Sequence, residues 1–242
     1  MPPNTEPISA GPLIRLLVLF LVAANYHKYL RWITKPSPGL MFIFNMCIKV
    51  KLVATLAEAH AMRFVAEHTS VPVPKIYCAL FMNGKMVCQG WRSRSEESKS
   101  RIYTQLRRMI TEIRSIPAPE GTSVGSVDGG PFCDCRLPSS LLWGPFCTTR
   151  DFHQALANES NSRPVLTHGD LSCLNILIEG DDVVGIVDWE IAGWLPPYWE
   201  YTCAKNVNPM MEFRAEEVDK ILEPMPHELE MERIKRKYFG DT

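Results

Sequence analysis

Two carboxylates and a carboxamide stand close together in the second half of the chain. The first stretch is Leu166-Thr-His168-Gly169-Asp170-Leu-Ser-Cys-Leu-Asn175, and Ile186-Val187-Asp188-Trp189-Glu190 follows, with Asp188 thirteen residues beyond Asn175. One carboxylate of such a set can orient an attacking hydroxyl and accept its proton, while a second Asp and an Asn supply oxygen donors suited to Mg²⁺ against nucleotide phosphates. The residue types therefore fit phosphoryl transfer. A single Asp at a strand edge is an ordinary turn residue, so the chemistry is indicated by the joint spacing of Asp170, Asn175 and Asp188 rather than by any one of them.

Short strands must bring these groups to one edge. RPVLT (163–167), NILIEG (175–180) and VVGIVDW (183–189) are β-like runs, and Gly180-Asp181-Asp182 turns between the last two. Upstream, MFIFNMCIKV (41–50) reads as one strand. Thr55-Leu-Ala-Glu58 has the form of a capping box, and Leu56, Ala59, Met62 and Ala66 recur at helical spacing, which predicts a helix over about 55–68. Pro72 and Pro74 end it. KIYCALF (75–81) and KMVC (85–88) then flank Asn83-Gly84, a dipeptide suited to a type I′ hairpin turn. From Ser95 a second helix is expected, with Glu96 and Glu97 in its first turn and a stripe of Ile102, Leu106, Met109 and Ile113; Pro117 and Pro119 stop it. Residues 120–148 read as a long loop rich in Gly, Pro and Ser, followed by a short helix near 150–158 and two amphiphilic segments near 211–222 and 227–239. Trp189, Trp194, Tyr198 and Trp199 read as core.

Composition bounds the function classes. The chain has 242 residues, 26 Lys+Arg against 27 Asp+Glu, and 46% hydrophobic residues, the profile of a globular protein. Near-neutrality without a long basic run sets nucleic-acid binding aside. The 8 cysteines include no paired Cys-x-x-Cys of zinc-site spacing and read as reduced thiols. The apolar run Leu16–Tyr26 follows Arg15 but is much shorter than the roughly 20 residues of a membrane span. It has the outline of a signal peptide without a clear small-residue cleavage pattern, and reads best as a packing or interfacial helix. A membrane partner is not expected, and oligomeric state is left open.

His168-Gly-Asp170-x4-Asn175 together with Ile-Val-Asp188-Trp189-Glu190 resembles the aminoglycoside phosphotransferase and choline kinase family, small-molecule kinases related in fold to protein kinases. Gly193-Trp194 and Pro197-Tyr198-Trp199-Glu200-Tyr201 are similar to the segment that follows the metal aspartate in that family. The resemblance covers most of residues 40–242. It implies an α+β, two-lobed protein-kinase-like fold: a leader at 1–35, a reduced β-containing N-lobe at 36–90 and a larger, mostly helical C-lobe at 91–242. It further implies ATP and Mg²⁺ as cofactors, a small-molecule hydroxyl substrate and a cytoplasmic location. By the same resemblance Asp170 is the catalytic base, Asn175 and Asp188 hold Mg²⁺, and His168 braces the loop. Kinase-like folds grip the α/β phosphates with a small-lobe Lys, usually paired with a helix Glu; Lys49 and Glu58 are the candidates, with Lys51 as second choice. Glu58 equally suits the capping box with Thr55.

Two departures stand out. No glycine-rich hairpin precedes Lys49, and Met86-Val-Cys-Gln-Gly-Trp91 runs almost directly into Arg92-Ser-Arg-Ser95, so about one strand and the adenine-binding hinge of the relatives are shortened. Two functions therefore follow from the sequence: an ATP-dependent small-molecule kinase, or a non-catalytic binding protein that keeps the fold without turnover. A protein kinase is disfavoured, because Trp189-Glu190 stands where protein kinases carry Phe-Gly and no Ala-Pro-Glu segment follows.

Overall fold

The computed structural model describes residues 35–37, 40–43, 46–49, 57–75, 85–86, 90–131, 134, 137, 144–155, 163–206 and 215–239, with isolated positions at 11, 13, 16, 17, 20 and 21. Its strands are β1 (Lys35–Ser37), β2 (Leu40–Ile43), β3 (Met46–Lys49), β4 (Lys85–Met86), β5 (Gly125–Ser126), β6 (Val165–Thr167), β7 (Ile176–Glu179), β8 (Asp182–Ile186) and β9 (Gly193–Leu195). Its helices are α1 (Ala57–His68), α2 (Glu96–Ser115), α3 (Thr149–Ala155), α4 (Trp199–Lys205), α5 (Ala215–Val218) and α6 (Pro226–Phe239).

The longest helix, α2, forms where the sequence predicts it. The Ser95 hydroxyl caps it by accepting the Ser98 N–H at 3.2 Å, satisfying one of the donors a helix start leaves open. Glu96 and Glu97 complement the positive end of the dipole. Its buried face consists of Ile102, Tyr103, Leu106, Met109, Ile110 and Ile113, a stripe of period 3.6. These side chains join Ala61, Met62 and Val65 of α1, Leu166 of β6, Ile176 and Ile178 of β7, and Ile186 of β8 in one core.

The described strands form three small antiparallel sheets, in the orders β1-β2-β3, β4-β7-β8 and β5-β9-β6. One of them corrects the sequence reading. Residues 41–50 are not one strand: β2 and β3 are antiparallel partners, with Met41 opposite Ile48 and Ile43 opposite Met46. Asn45, the only turn-forming residue in that run, falls between them, and its signal is weak without a following Gly. β4 pairs with β7, Lys85 opposite Ile178 and Met86 opposite Leu177. The residues proposed as its partner, 76–81, and the turn at Asn83-Gly84 lie outside the described residues.

The segment after β4 is anchored on the larger half of the chain. Trp91, in a single 3-10 turn (Trp91–Ser93), is buried, edge-on to Tyr103 with ring centroids 5.5 Å apart. Its indole N–H donates to Glu217 at 3.4 Å. Arg94 donates to the Gly180 carbonyl at 2.9 Å and to Asp181 at 3.2 Å, in the β7–β8 turn. Two contacts tie α1 to the same body: Phe64 lies edge-on to Trp194 at 6.0 Å, and the Ile186 N–H donates to the Pro72 carbonyl at 2.9 Å.

Candidate active site

The β7–β8 hairpin positions two of the predicted residues. Asn175 immediately precedes β7 and Asp188 lies two residues past β8, and the pairing extends beyond the strands because the Val187 N–H donates to the Asn175 carbonyl at 2.9 Å. The Asn175 side-chain amide then donates to the Asp170 carboxylate at 2.9 Å and to the Asp170 carbonyl at 2.8 Å. With the nitrogen of its carboxamide so used, its oxygen is the atom left for a cation. Asn175 is buried, whereas Asp170 is exposed, so the carboxylate is held from behind and faces outward.

The loop before Asp170 is held by buried polar groups. His168 is fully buried; its Nδ1 lies 3.2 Å from the Asp170 N–H and its Nε2 lies 3.0 Å from the Val187 carbonyl. Accepting at Nδ1 fixes the tautomer: the ring proton sits on Nε2 and is donated to Val187. The ring also stands edge-on to Trp189 at 4.5 Å. His168 thus joins the loop of Asp170 to the segment that carries Asp188.

A second brace comes from much later in the chain. Glu200, in the first turn of α4, is buried, and its two carboxylate oxygens accept the backbone N–H groups of His168 at 2.7 Å and Gly169 at 3.1 Å. A buried carboxylate is tolerated only with such donors. Gly169 has φ +85°, and a Cβ there would meet the Ile191 carbonyl oxygen at 2.8 Å, so glycine alone fits. α2 supports α4 in turn, through Arg114, which donates to the Pro197 carbonyl at 2.7 Å.

Asp188 is a non-glycine residue with φ 64°, a left-handed conformation that Asp adopts more readily than most residues but still at a cost. Strained backbone of this kind concentrates at functional positions. Its carboxylate converges with those of Glu190 and Glu58, one oxygen from each lying within 4.8 Å of the others. All three are partly buried. An all-oxygen, negatively charged donor set fits a hard divalent cation such as Mg²⁺, and the residues present therefore suit the cation that the sequence resemblance implies.

The structure brings Asp170, Asn175 and His168 into direct contact and places Asp188 beside them. Glu58, in the first turn of α1, faces Asp188 and Glu190. Lys49 is the last residue of β3, while its side chain, together with Thr55 and Lys51, lies outside the described residues. Sequence reasoning missed the association of Glu190 with Asp188 and the bracing by Glu200. Both stand in the quoted motifs, as acids that could receive a cationic amine or serve structurally, but their spacing does not show what each contacts. The aromatic residues Trp189, Trp194, Tyr198 and Trp199 are core, as expected. Two clefts, of about 720 Å³ between α2 and the 219–225 segment and about 380 Å³ beside α1, are lined by other residues.

A kinase-like α+β scaffold with an Asp-Asn pair beside a left-handed Asp defines a class of phosphotransferase folds, and the comparisons with known proteins agree. Residues 48–225, well over half of the chain, match the phosphotransferase enzyme family. The chain belongs to that family. The gentamicin complex of APH(2")-IIa is similar over 96% of this chain and 86% of its own, with 14% identity and a TM-score of 0.58. A thermostable mutant of aminoglycoside phosphotransferase APH(4)-Ia, in its apo form, is similar over 83% of this chain and 78% of its own, with 14% identity and a TM-score of 0.55. ADP-bound APH(2'')-Ib is similar over 85% and 80%, with 13% identity and a TM-score of 0.53. At these identities the likeness establishes the two-lobed, protein-kinase-like α+β fold. Among curated proteins, none matches the sequence at a significant level.

Proposed function

We propose that the protein is an ATP-dependent small-molecule kinase that transfers a γ-phosphoryl group to a substrate hydroxyl. The observation that carries this is the double hydrogen bond from Asn175 to Asp170, made while the Asn175 backbone is paired to Val187, next to Asp188. It couples a base to two cation ligands in one rigid unit. Asp170 orients the attacking hydroxyl and takes its proton. The Asn175 carboxamide oxygen and the Asp188 carboxylate are the Mg²⁺ ligands, with Glu190 adding negative charge beside Asp188. His168 and Glu200 hold the loop, so the geometry of Asp170 needs no rearrangement as charge develops. Lys49, at the end of β3, is assigned to the nucleotide phosphates, and Glu58 to the same side of the site. Bound Mg²⁺ would neutralise phosphate charge, and ATP would supply the transferred group. In this assignment residues 36–90 form the nucleotide side and 91–242 the catalytic side, and the protein acts in the cytoplasm.

The testing experiment is Mg²⁺-dependent ATP turnover by the purified chain with a panel of aminoglycosides, choline-like amines, sugars and amino alcohols. Turnover with one class, abolished in Asp170→Asn, supports the proposal. Turnover with none of them, with Asp170→Asn indistinguishable from the parent, refutes it.

The shortened connection favours a second reading. β4 pairs with β7 and is followed within five residues by Trp91, which leaves little chain for the backbone donors and apolar slot that adenine recognition needs. A non-catalytic protein that binds a metabolite or partner through the same fold would have this construction. Binding that is indifferent to nucleotide and unchanged in Asp188→Asn identifies it.

A further inference from the structure

α1 carries Glu58 and His60 on opposite sides. Two residues along an α-helix stand about 200° apart, so with Glu58 facing Asp188 and Glu190, His60 faces the other way, toward the turn that follows β5. There its Nδ1 lies 3.3 Å from one carboxylate oxygen of Asp128. A carboxylate only accepts, so Nδ1 carries the proton and donates it. His60 is 6% exposed, and its buried Nε2 has no hydrogen-bond partner among the described residues. Leaving a buried nitrogen unpaired costs stability, a cost that an apolar side chain at this position would avoid. What histidine supplies and an apolar residue cannot is the bond to Asp128.

Asp128 is itself fixed. Its other carboxylate oxygen accepts the Ser126 hydroxyl and the Gly130 N–H, the latter at 3.3 Å, and the Gly129 N–H closes the turn on the Ser126 carbonyl at 2.9 Å. β5 pairs with β9, Gly125 opposite Trp194, and Glu190 stands three residues before β9. The turn of Asp128 and the segment of Glu190 therefore hang on one sheet. Glu58 aside, His60 is the one residue of α1 whose side chain hydrogen-bonds to another element, among the described residues. The far end of the helix is held by other means: Phe64 against Trp194 and, just beyond α1, the Ser70 N–H and hydroxyl on Glu112 at 2.5 and 2.8 Å. The first turn, which contains Glu58, is where a helix is least held by its own hydrogen bonds.

We infer that His60 and Asp128 are positioning residues: their bond sets the first turn of α1 against the β5 turn and so keeps Glu58 in the carboxylate cluster with Asp188 and Glu190. The inference rests on the assignment of that cluster to the divalent cation of the proposed function. His60 and Asp128 act through Glu58 and touch neither cation nor substrate.

The test is Mn²⁺ binding by the full chain, with Mn²⁺ standing in for Mg²⁺ and free Mn²⁺ read by electron paramagnetic resonance, alongside the thermal midpoint in metal-free buffer. The variants are Glu58→Gln, His60→Leu, His60→Asn and Asp128→Ala. Leu keeps most of the bulk of His60 but cannot donate, whereas Asn places an amide nitrogen close to the Nδ1 position and can. Asp128→Ala breaks the same bond from the other side. Affinity should fall about tenfold in Glu58→Gln, His60→Leu and Asp128→Ala, the scale on which loss of an outer-shell partner weakens a metal site, and should be largely restored in His60→Asn, with midpoints close to that of the parent. Four results would overturn the inference: a parent that binds no Mn²⁺, undiminished affinity in any of the three weakened variants, His60→Asn no better than His60→Leu, or midpoints that fall in step with affinity in both His60→Leu and Asp128→Ala. Failure of the kinase reading is separate: a chain that binds Mn²⁺ through Glu58 but turns over no ATP would lose that reading and keep this one.

Discussion

The Glu200 carboxylate accepts the His168 backbone N–H at 2.7 Å and the Gly169 N–H at 3.1 Å, so a side chain more than thirty residues downstream sets the entry angle of the loop that presents Asp170. Both partners are buried. In Glu200→Gln one oxygen is exchanged for an NH₂ group, which cannot accept, and one of the two loop N–H groups is left without its bond. The expected cost is about 1–3 kcal/mol of stability, read as a lowered thermal midpoint. If Glu200 positions the loop rather than merely filling space, kcat should fall more than KM rises.

Asp170→Asn should behave in the opposite way. Asp170 is exposed and Asn can still accept the bond from Asn175, so the melting temperature should change little. Loss of a general base typically costs about 10²–10⁴ in rate, and steady-state kinetics with the substrate class identified by the panel should show that loss in kcat. A variant that melts like the parent and turns over like the parent would remove Asp170 from the mechanism.

Gly169 offers a purely steric check on the same loop. At φ +85°, with the Ile191 carbonyl oxygen 2.8 Å from where a Cβ would stand, Gly169→Ala combines backbone strain with a clash against main chain. A loss of about 1–3 kcal/mol is expected in chemical denaturation. Gly180→Ala makes a useful comparison, since it has φ +60° but nothing within 4 Å of its Cβ position; it should lose less.

Acid sensitivity should arise partly at Glu217. Burial pushes its carboxyl up, but hydrogen bonds from Tyr103, Lys220 and Trp91 outweigh that effect and hold it below its ordinary 4.5. A folded-state value below the unfolded one stabilises the protein above pH 4.5, and the contribution is lost as pH falls through the folded value. Glu217→Gln should therefore lower stability at neutral pH and flatten the decline below about pH 4.5. Denaturation midpoints across pH 3–7 check both limbs.

Legibility in the sequence followed the range of the contacts. α2 was readable because Ser95 and the Ile102-Leu106-Met109-Ile113 stripe act within a few residues of one another. Asp170, Asn175 and Asp188 were readable as a group because one hairpin carries two of them, so spacing along the chain translates almost directly into proximity. The run 41–50 reads as one strand because a continuous apolar stretch looks the same in one strand or two, and Asn45 alone is a weak turn signal. The pairing of β4 with β7 joins residues about ninety positions apart, and no local pattern encodes it. Glu200 is of the same kind: its significance lies in the His168 and Gly169 N–H groups that tertiary packing sets against it.

The measurement that most directly tests the nucleotide and Mg²⁺ site on which phosphoryl transfer depends is a thermal-shift titration with ATP and Mg²⁺, comparing the parent with Asp188→Asn. Asn keeps the tolerance for the left-handed backbone at φ 64° while removing the charge. Each protein is referred to its own nucleotide-free midpoint. A Mg²⁺-dependent stabilisation, about 2.7 kcal/mol when ATP reaches a hundred times its Kd, present in the parent and lost in Asp188→Asn, is the predicted result. No shift in the parent at millimolar ATP would contradict it and leave a kinase fold without its nucleotide.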